Sequence, residues 1–253
     1  MIHRRVLPAA AALTILFAQG ASPVLAMSDA EKADIQKVVR EYLIENPEVL
    51  VEAMSALETK RAAEEARSQS AALAAVADEV RMTPAGTILG NPNGDVTVVE
   101  FFDYNCGYCR HALPDMEALI VSDPKLRFVL KEIPVLGDPS VRASRVSLAF
   151  RHVKPDLYGK FHETLLGRKG VADEDSALAV AEDLGVSEAE MRAAMALPEV
   201  QGVIDDNNRL SAMLKINGTP SYVVGDEVVP GAVGREALAE KIENVRRCAR
   251  ASC

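Results

Sequence analysis

Two cysteines three residues apart, Cys106 and Cys109, are the residues of this chain whose type and spacing could carry chemistry. They stand in Cys106-Gly107-Tyr108-Cys109, where a β-branched and aromatic run gives way to a helical pattern. A helix start has unpaired N–H groups and a partial positive charge. A cysteine placed there is favoured as the thiolate, the species that attacks a disulfide. Cys109 lies about one turn on and can reach back to resolve the mixed disulfide that Cys106 forms. The spacing therefore predicts an exposed nucleophile at Cys106 and a resolving sulfur tucked into the first turn at Cys109. Zinc is the competing use of such a pair, but structural zinc takes four ligands and the chain has no second C-x₂-C. His111 is near the pair, whereas His152 and His162 fall in a distant helical stretch. An inert staple is the other alternative, and a C-x₂-C between a strand and a helix reads as redox-active. No cofactor and no bound metal is expected.

The elements that must hold this pair follow from periodicity. Val96-Thr97-Val98-Val99-Glu100-Phe101-Phe102 reads as a buried strand. A helix is predicted from about Cys106 to Ser122, with Pro114 inside it, and a second buried strand over Leu126–Glu132. Strand, helix and strand at this spacing make a βαβ unit with parallel pairing. Thr87–Leu89 is a short strand candidate ahead of the turn Gly90–Asp95. Helical signals then run over about 138–215. Asp138-Pro139 opens the first, Asp173 caps another, Ser187 with Glu190 fits a capping box, and Pro198 begins the last. Tyr222–Val224 and Glu227–Val229, joined by Gly225-Asp226, fit a tight hairpin. A final helix is predicted over about Arg235–Arg247. The fold class is α/β with a helical insertion. Gly218-Thr219-Pro220 stands directly before the returning strand, as a loop punctuator or as a cis-proline at a functional site. The paired cysteines favour the second.

Around this domain the 253 residues carry other signals. Residues 1–26 show a basic start at His3-Arg4-Arg5, an apolar run and Val24-Leu25-Ala26, which match a secretory signal peptide. The run is shorter than the roughly 20 apolar residues needed to span a bilayer. Export to the periplasm is the expectation, and there disulfides persist. Residues 27–82 lack strand signals. Ile35, Val38, Val39, Tyr42 and Leu43 recur at helical spacing, and Val49, Leu50, Ala53, Met54 and Leu57 follow after a restart at Asn46-Pro47-Glu48. Such an arm covers the main domain or pairs with copies of itself, and its poor surface-to-volume ratio favours pairing. The main domain is placed at 83–253. A formal charge of −9 and the absence of Trp speak against nucleic acid as a partner. Cys248 and Cys253 are expected to form a structural end-staple. On an unbroken helix residues five apart sit about 8–9 Å apart, beyond disulfide reach, so the chain must turn after about Ala249.

Together, Val99-Glu100-Phe101-Phe102-Asp103-Tyr104-Asn105-Cys106-Gly107-Tyr108-Cys109, Pro114 and Gly218-Thr219-Pro220 resemble the DsbA-like family of the thioredoxin superfamily over roughly residues 84–247. The resemblance implies a cis bond before Pro220 and substrate pairing against Thr219 and Pro220, with Gly107 and Tyr108 also bordering the substrate. It implies that Glu100 is a buried acid near Cys109 and that Lys131 is its partner. A buried carboxylate could then take the proton of Cys109. The dipeptide Gly107-Tyr108 departs from the Pro-His of strongly oxidising DsbA enzymes and looks like that of DsbC-type isomerases, which implies a less oxidising disulfide. Arm and domain together resemble ScsC-type proteins, bacterial suppressors of copper sensitivity that can be trimeric, and Com1-like outer-membrane-associated antigens. The ScsC resemblance implies an isomerase or reductase of exported proteins with cysteines, a homo-oligomer (trimer rather than dimer), a reducing membrane partner of DsbD or ScsB type, and a role under copper stress. The alternatives are a disulfide-donating oxidase with a DsbB-type partner, and a Cu(I)-binding protein using the thiolates of Cys106 and Cys109.

Overall fold

Strands β2 (Val96–Phe102) and β3 (Leu126–Glu132) pair in parallel, and helix α3 (Gly107–Ser122) crosses between them. The computed structural model describes residues 27–84 and 86–253. The expected signal peptide, 1–26, lies outside the described residues. β2 also pairs antiparallel with β4 (Ser221–Val224), which turns into β5 (Glu227–Pro230), while β1 (Leu89–Gly90) edges β3. The sheet order is β1-β3-β2-β4-β5. The hairpin turn needs Gly225. Its φ is +57°, and a Cβ there would sit 2.6 Å from Val245 Cγ2.

The helical insertion comprises α4 (Asp138–Val153), a 3₁₀ turn (Pro155–Leu157), α5 (Tyr158–Gly167), α6 (Glu174–Asp183), α7 (Glu188–Met195) and α8 (Pro198–Met213). Asp173 with Ser176 and Ser187 with Glu190 form capping boxes at α6 and α7, and Pro198 occupies the first turn of α8. Helix α9 (Arg235–Cys248) ends on Ala249 at φ 60°. That left-handed residue turns the chain so that Cys248 and Cys253, 6.5 Å apart at Cα, are bonded.

Strand alternation assigns the two faces of the sheet. Val96, Val98, Phe102, Leu126, Phe128 and Leu130 belong to the core shared with α3 and the insertion. Val99, Phe101, Val129 and Val223 belong to a second core with Leu210, Leu214 and three residues of helix α2 (Glu48–Arg81): Leu73, Val76 and Val80. Each of these three contributes about 1.5–3 kcal/mol by burial.

The chain forms two compact units, one ending at Thr59 and one over Lys60–Cys253. The boundary expected at 82/83 therefore lies earlier, inside α2, because the apolar stripe of its C-terminal half is part of the main domain's core. Helix α1 (Asp29–Glu45) starts on a Ser28–Glu31 capping box and buries no residue. Helix α2 restarts at Glu48 as expected, but the Asn46 side chain does not cap it. The Asn46 N–H and Nδ2 both donate to Tyr42 O, closing α1. Ile35, Val38, Val39, Tyr42, Leu50, Val51, Met54 and Leu57 are exposed.

Candidate active site

Cys106 is the N-cap of α3. Its Sγ accepts the N–H of Cys109 at 3.4 Å, in the position a Ser or Asp side chain takes at other helix starts. The turn before it is braced by Asp103, which is buried. Asp103 Oδ1 accepts Asn105 N–H (2.7 Å) and Ser140 Oγ (2.7 Å), and Oδ2 accepts Leu136 N–H (3.0 Å). Asn105 binds both backbone groups of Ala172, donating to its carbonyl and accepting its N–H at 2.8 Å each. Arg110 Nε donates to Leu166 O. The cysteine loop is thus fastened to the insertion on several sides, which holds the sulfur in place. Asp103 and Asn105 were not singled out by the sequence. Both are short polar residues at a strand-to-helix turn, and that was the available signal.

The Thr219–Pro220 peptide bond is cis. The Cys106 thiol donates to Thr219 O at 3.1 Å. The nucleophile expected to be exposed is only 6% exposed, because the Thr219 carbonyl lies over it. Gly107 and Tyr108 are at the surface. Tyr108 is 72% exposed, and no atom lies within 4 Å of a Cβ built on Gly107. Cys109 is fully buried, and burial, followed by the Glu100 charge, pushes its thiol pKa well up. It needs a base to become a nucleophile.

Glu100, 3% exposed, stands on β2 opposite Tyr222 of β4 and Leu130 of β3. Burial pushes its pKa up to about 8. Lys131 is not its partner. Lys131 pairs in register with Phe101, one residue out of phase with Glu100, so it belongs to the other face of the sheet. There its Nζ donates to Met82 O at 2.8 Å and Glu79 O at 3.4 Å, at the C-terminal end of α2. Arg127, in phase with it, donates to Arg81 O. These are caps of a helix end, and the Lys131 pKa is lowered to about 8, chiefly by burial.

A second buried acid lies in phase with Glu100. Glu132 Oε1 accepts Ser147 Oγ (2.8 Å) and Tyr158 OH (3.0 Å), and Ser147 Oγ is 2.7 Å from Tyr104 OH. Burial raises its pKa to about 7 against the pull of Ser147. The alternation Leu126, Phe128, Leu130 placed it inside, a signal that a strand-ending Glu conceals. His162 is buried with both nitrogens unpartnered, its ring edge-on to Phe102 at 4.6 Å. Burial lowers its pKa to about 3. Among the described residues no group of three or more His, Cys, Asp or Glu is placed to hold a metal ion.

Residues 97–243 match the family described as the DSBA-like thioredoxin domain, and residues 31–64 match the Copper resistance protein ScsC N-terminal domain. Among solved structures, a thioredoxin-like oxidoreductase from Silicibacter pomeroyi is 41% identical, with a TM-score of 0.64 over 68% of this chain and 98% of that one. Proteus mirabilis ScsC, in a transitional conformation, is 30% identical, with a TM-score of 0.63 over 87% of this chain and 96% of that one. Among curated proteins, the Thiol:disulfide interchange protein DsbA of Bordetella pertussis is 25% identical over 143 residues, covering 55% of this chain and 68% of that protein. The chain also matches Na(+)/H(+) antiporter NhaA 3 of Salinispora tropica at 24% identity, spanning 64% of this chain and about a quarter of that protein's length.

Proposed function

Because the chain belongs to the DSBA-like thioredoxin domain family, with an ScsC-type segment ahead of it, we propose that it is a thiol–disulfide oxidoreductase acting on cysteines of exported proteins in the periplasm. The observation that carries this reading is the placement of Cys106 at the α3 start, with Cys109 one turn behind it and the Thr219 carbonyl against its sulfur.

In the proposed cycle the Cys106 thiolate attacks a substrate disulfide. One substrate sulfur leaves as a thiolate and a mixed disulfide forms. That thiolate can attack another disulfide of the same substrate, and the new thiolate this releases displaces Cys106, which shuffles bonds with no net redox change. Alternatively Cys109 loses its proton to Glu100 and attacks Cys106. The Cys106–Cys109 disulfide forms and the substrate leaves reduced by two electrons. A reducing membrane partner of DsbD or ScsB type returns both electrons. Thr219 and Pro220 pair with the substrate strand, and Gly107 and Tyr108 border it.

The direction we favour is isomerase or reductase, on the Gly107-Tyr108 dipeptide, which lacks the histidine that stabilises a strongly oxidising pair. The exposed apolar residues of α1 and of α2 up to Leu57 support self-association, as a trimer, which would bring several active sites to one substrate. Copper tolerance, through repair of wrong disulfides, is the physiological role we assign. The test is refolding of a protein with scrambled disulfides by the reduced protein, together with the reduction potential of Cys106–Cys109. Isomerase action requires activity that Cys106→Ala abolishes and a potential well below the about −120 mV of a strong oxidant. Absence of activity, or its survival in Cys106→Ala, contradicts the reading.

A further inference from the structure

A cavity of about 290 Å³ lies on the α2 side of the cis-proline loop, between Gln69 and the residues Ile216, Thr219, Pro220, Val228 and Pro230. Its position is set by two elements of different origin. The loop wall includes the residue whose carbonyl touches Cys106 Sγ. The opposite wall is the C-terminal half of α2, held there by Gln69, whose Nε2 donates to Leu214 O at 2.7 Å, and by Lys215 Nζ, 3.4 Å from Ser68 Oγ. The rim is open at Gly218, where a built Cβ meets nothing within 4 Å.

We propose that this cavity is a substrate subsite that takes an aliphatic side chain next to the target cysteine. The inference rests on the reading of Cys106 and Thr219 given under Proposed function. A peptide strand laid along Thr219 with its cysteine on Cys106 advances about 3.3 Å per residue and alternates its side chains between faces. A neighbouring side chain is thereby directed past the loop, to the side where the cavity lies. When a strand is bound by its backbone, pockets for alternate side chains supply the specificity. Ile216, Val228 and the two prolines give an apolar lining. Lys215 is the charged residue among those lining the cavity, so a basic neighbour is disfavoured. The helix that leads out of the N-terminal arm thus forms part of the substrate site.

The experiment uses the full reduced mature protein and symmetrical disulfides of short peptides that differ in one residue beside the cysteine: Leu, Phe, Gly or Lys, on either side in turn. Mixed-disulfide formation at Cys106 is timed by quenching and mass spectrometry, and each rate is divided by that for hydroxyethyl disulfide, which has no flanking chain. On one side, Leu should exceed Gly by about five-fold or more, with Lys slowest. Gln69→Trp, which fills the cavity, should bring the Leu-to-Gly ratio to about one. Gln69→Ala, which enlarges it, should move the preference to Phe. A wild-type ratio of one on both sides, or a ratio that neither variant changes, overturns the subsite while leaving the Cys106 chemistry intact. A Cys106 inert to hydroxyethyl disulfide and to every peptide overturns the proposed function, and the subsite with it.

Discussion

Cys106 Sγ and the carbonyl oxygen of Thr219 lie 3.1 Å apart although 113 residues separate them in the chain. The contact joins the start of α3 to the loop that enters β4, the two places where sheet strands end on the same side of the molecule. Thr219 O is also the acceptor that a strand pairing with the loop would use. In the proposed cycle, substrate binding and uncovering of the sulfur are therefore one event.

In the proposed cycle Glu100 sets the pH dependence of the resolving step. Replacing it by Gln should slow release of the Cys106 mixed disulfide on the order of 10²-fold. In the wild type this step should accelerate as pH rises towards about 8, the value to which burial raises Glu100. Rapid-quench measurement across pH 6–9 checks both. A second consequence concerns stability. An acid whose folded pKa is raised binds its proton more tightly when folded, so its contribution is complete below the ordinary value of 4.5 and is lost as pH rises to about 8. Glu100→Gln should therefore gain stability relative to wild type between pH 5 and 8, as read by denaturant titration.

His162 acts at the other end of the scale. Its folded pKa is lowered from 6.5 to about 3, so protonation favours the unfolded chain and stability is lost as pH falls from 6.5 towards 3. The loss approaches a magnitude on the order of 5 kcal/mol at the acid end. His162→Phe keeps a ring against Phe102 and removes the titration. Its acid-unfolding midpoint, followed by circular dichroism, should move to lower pH.

The pairing of β2 with β3, the cysteines at the strand-to-helix turn, the Asp173 cap of α6 and the capping box of α7 were legible because each depends on local pattern. Lys131 was not. Which face it occupies depends on register, and a one-residue shift in a strand inverts it. Glu132 was hidden for the reverse reason: alternation placed it inside, but a carboxylate at a strand end reads as solvated. The extent of α2 was also obscure. Its alanine-rich middle resembles a linker, and the three aliphatic residues that tie its end to the sheet are sparse in a 34-residue helix.

Lys131 supplies its own test. Lys131→Met should lower amide protection at the end of α2 by about ten-fold, the equivalent of one hydrogen bond of roughly 1–1.5 kcal/mol. The pH profile of mixed-disulfide release should stay as in wild type, since Glu100 is on the other face. Hydrogen exchange and the same quench assay decide this.

The position of the unit boundary predicts that two truncations differ. A chain starting at Lys60 should fold and run as a monomer by light scattering, where the chain with its full arm should run as an oligomer. A chain starting at Thr83 loses Leu73, Val76 and Val80 from the second core, at about 1.5–3 kcal/mol each. It should melt well below the first. Equal stability would mean that the end of α2 contributes nothing to the domain.

The most direct measurement of the proposed chemistry is trapping. Reduced Cys109→Ala protein is mixed with a disulfide-bonded substrate, and the adduct is digested without reductant and sequenced by mass spectrometry. The expected product is a stable mixed disulfide at Cys106, while Cys106→Ala protein, with only the buried Cys109 sulfur left of the pair, gives none. An adduct that forms at Cys109 as readily as at Cys106 would contradict the assignment of nucleophile and resolving sulfur.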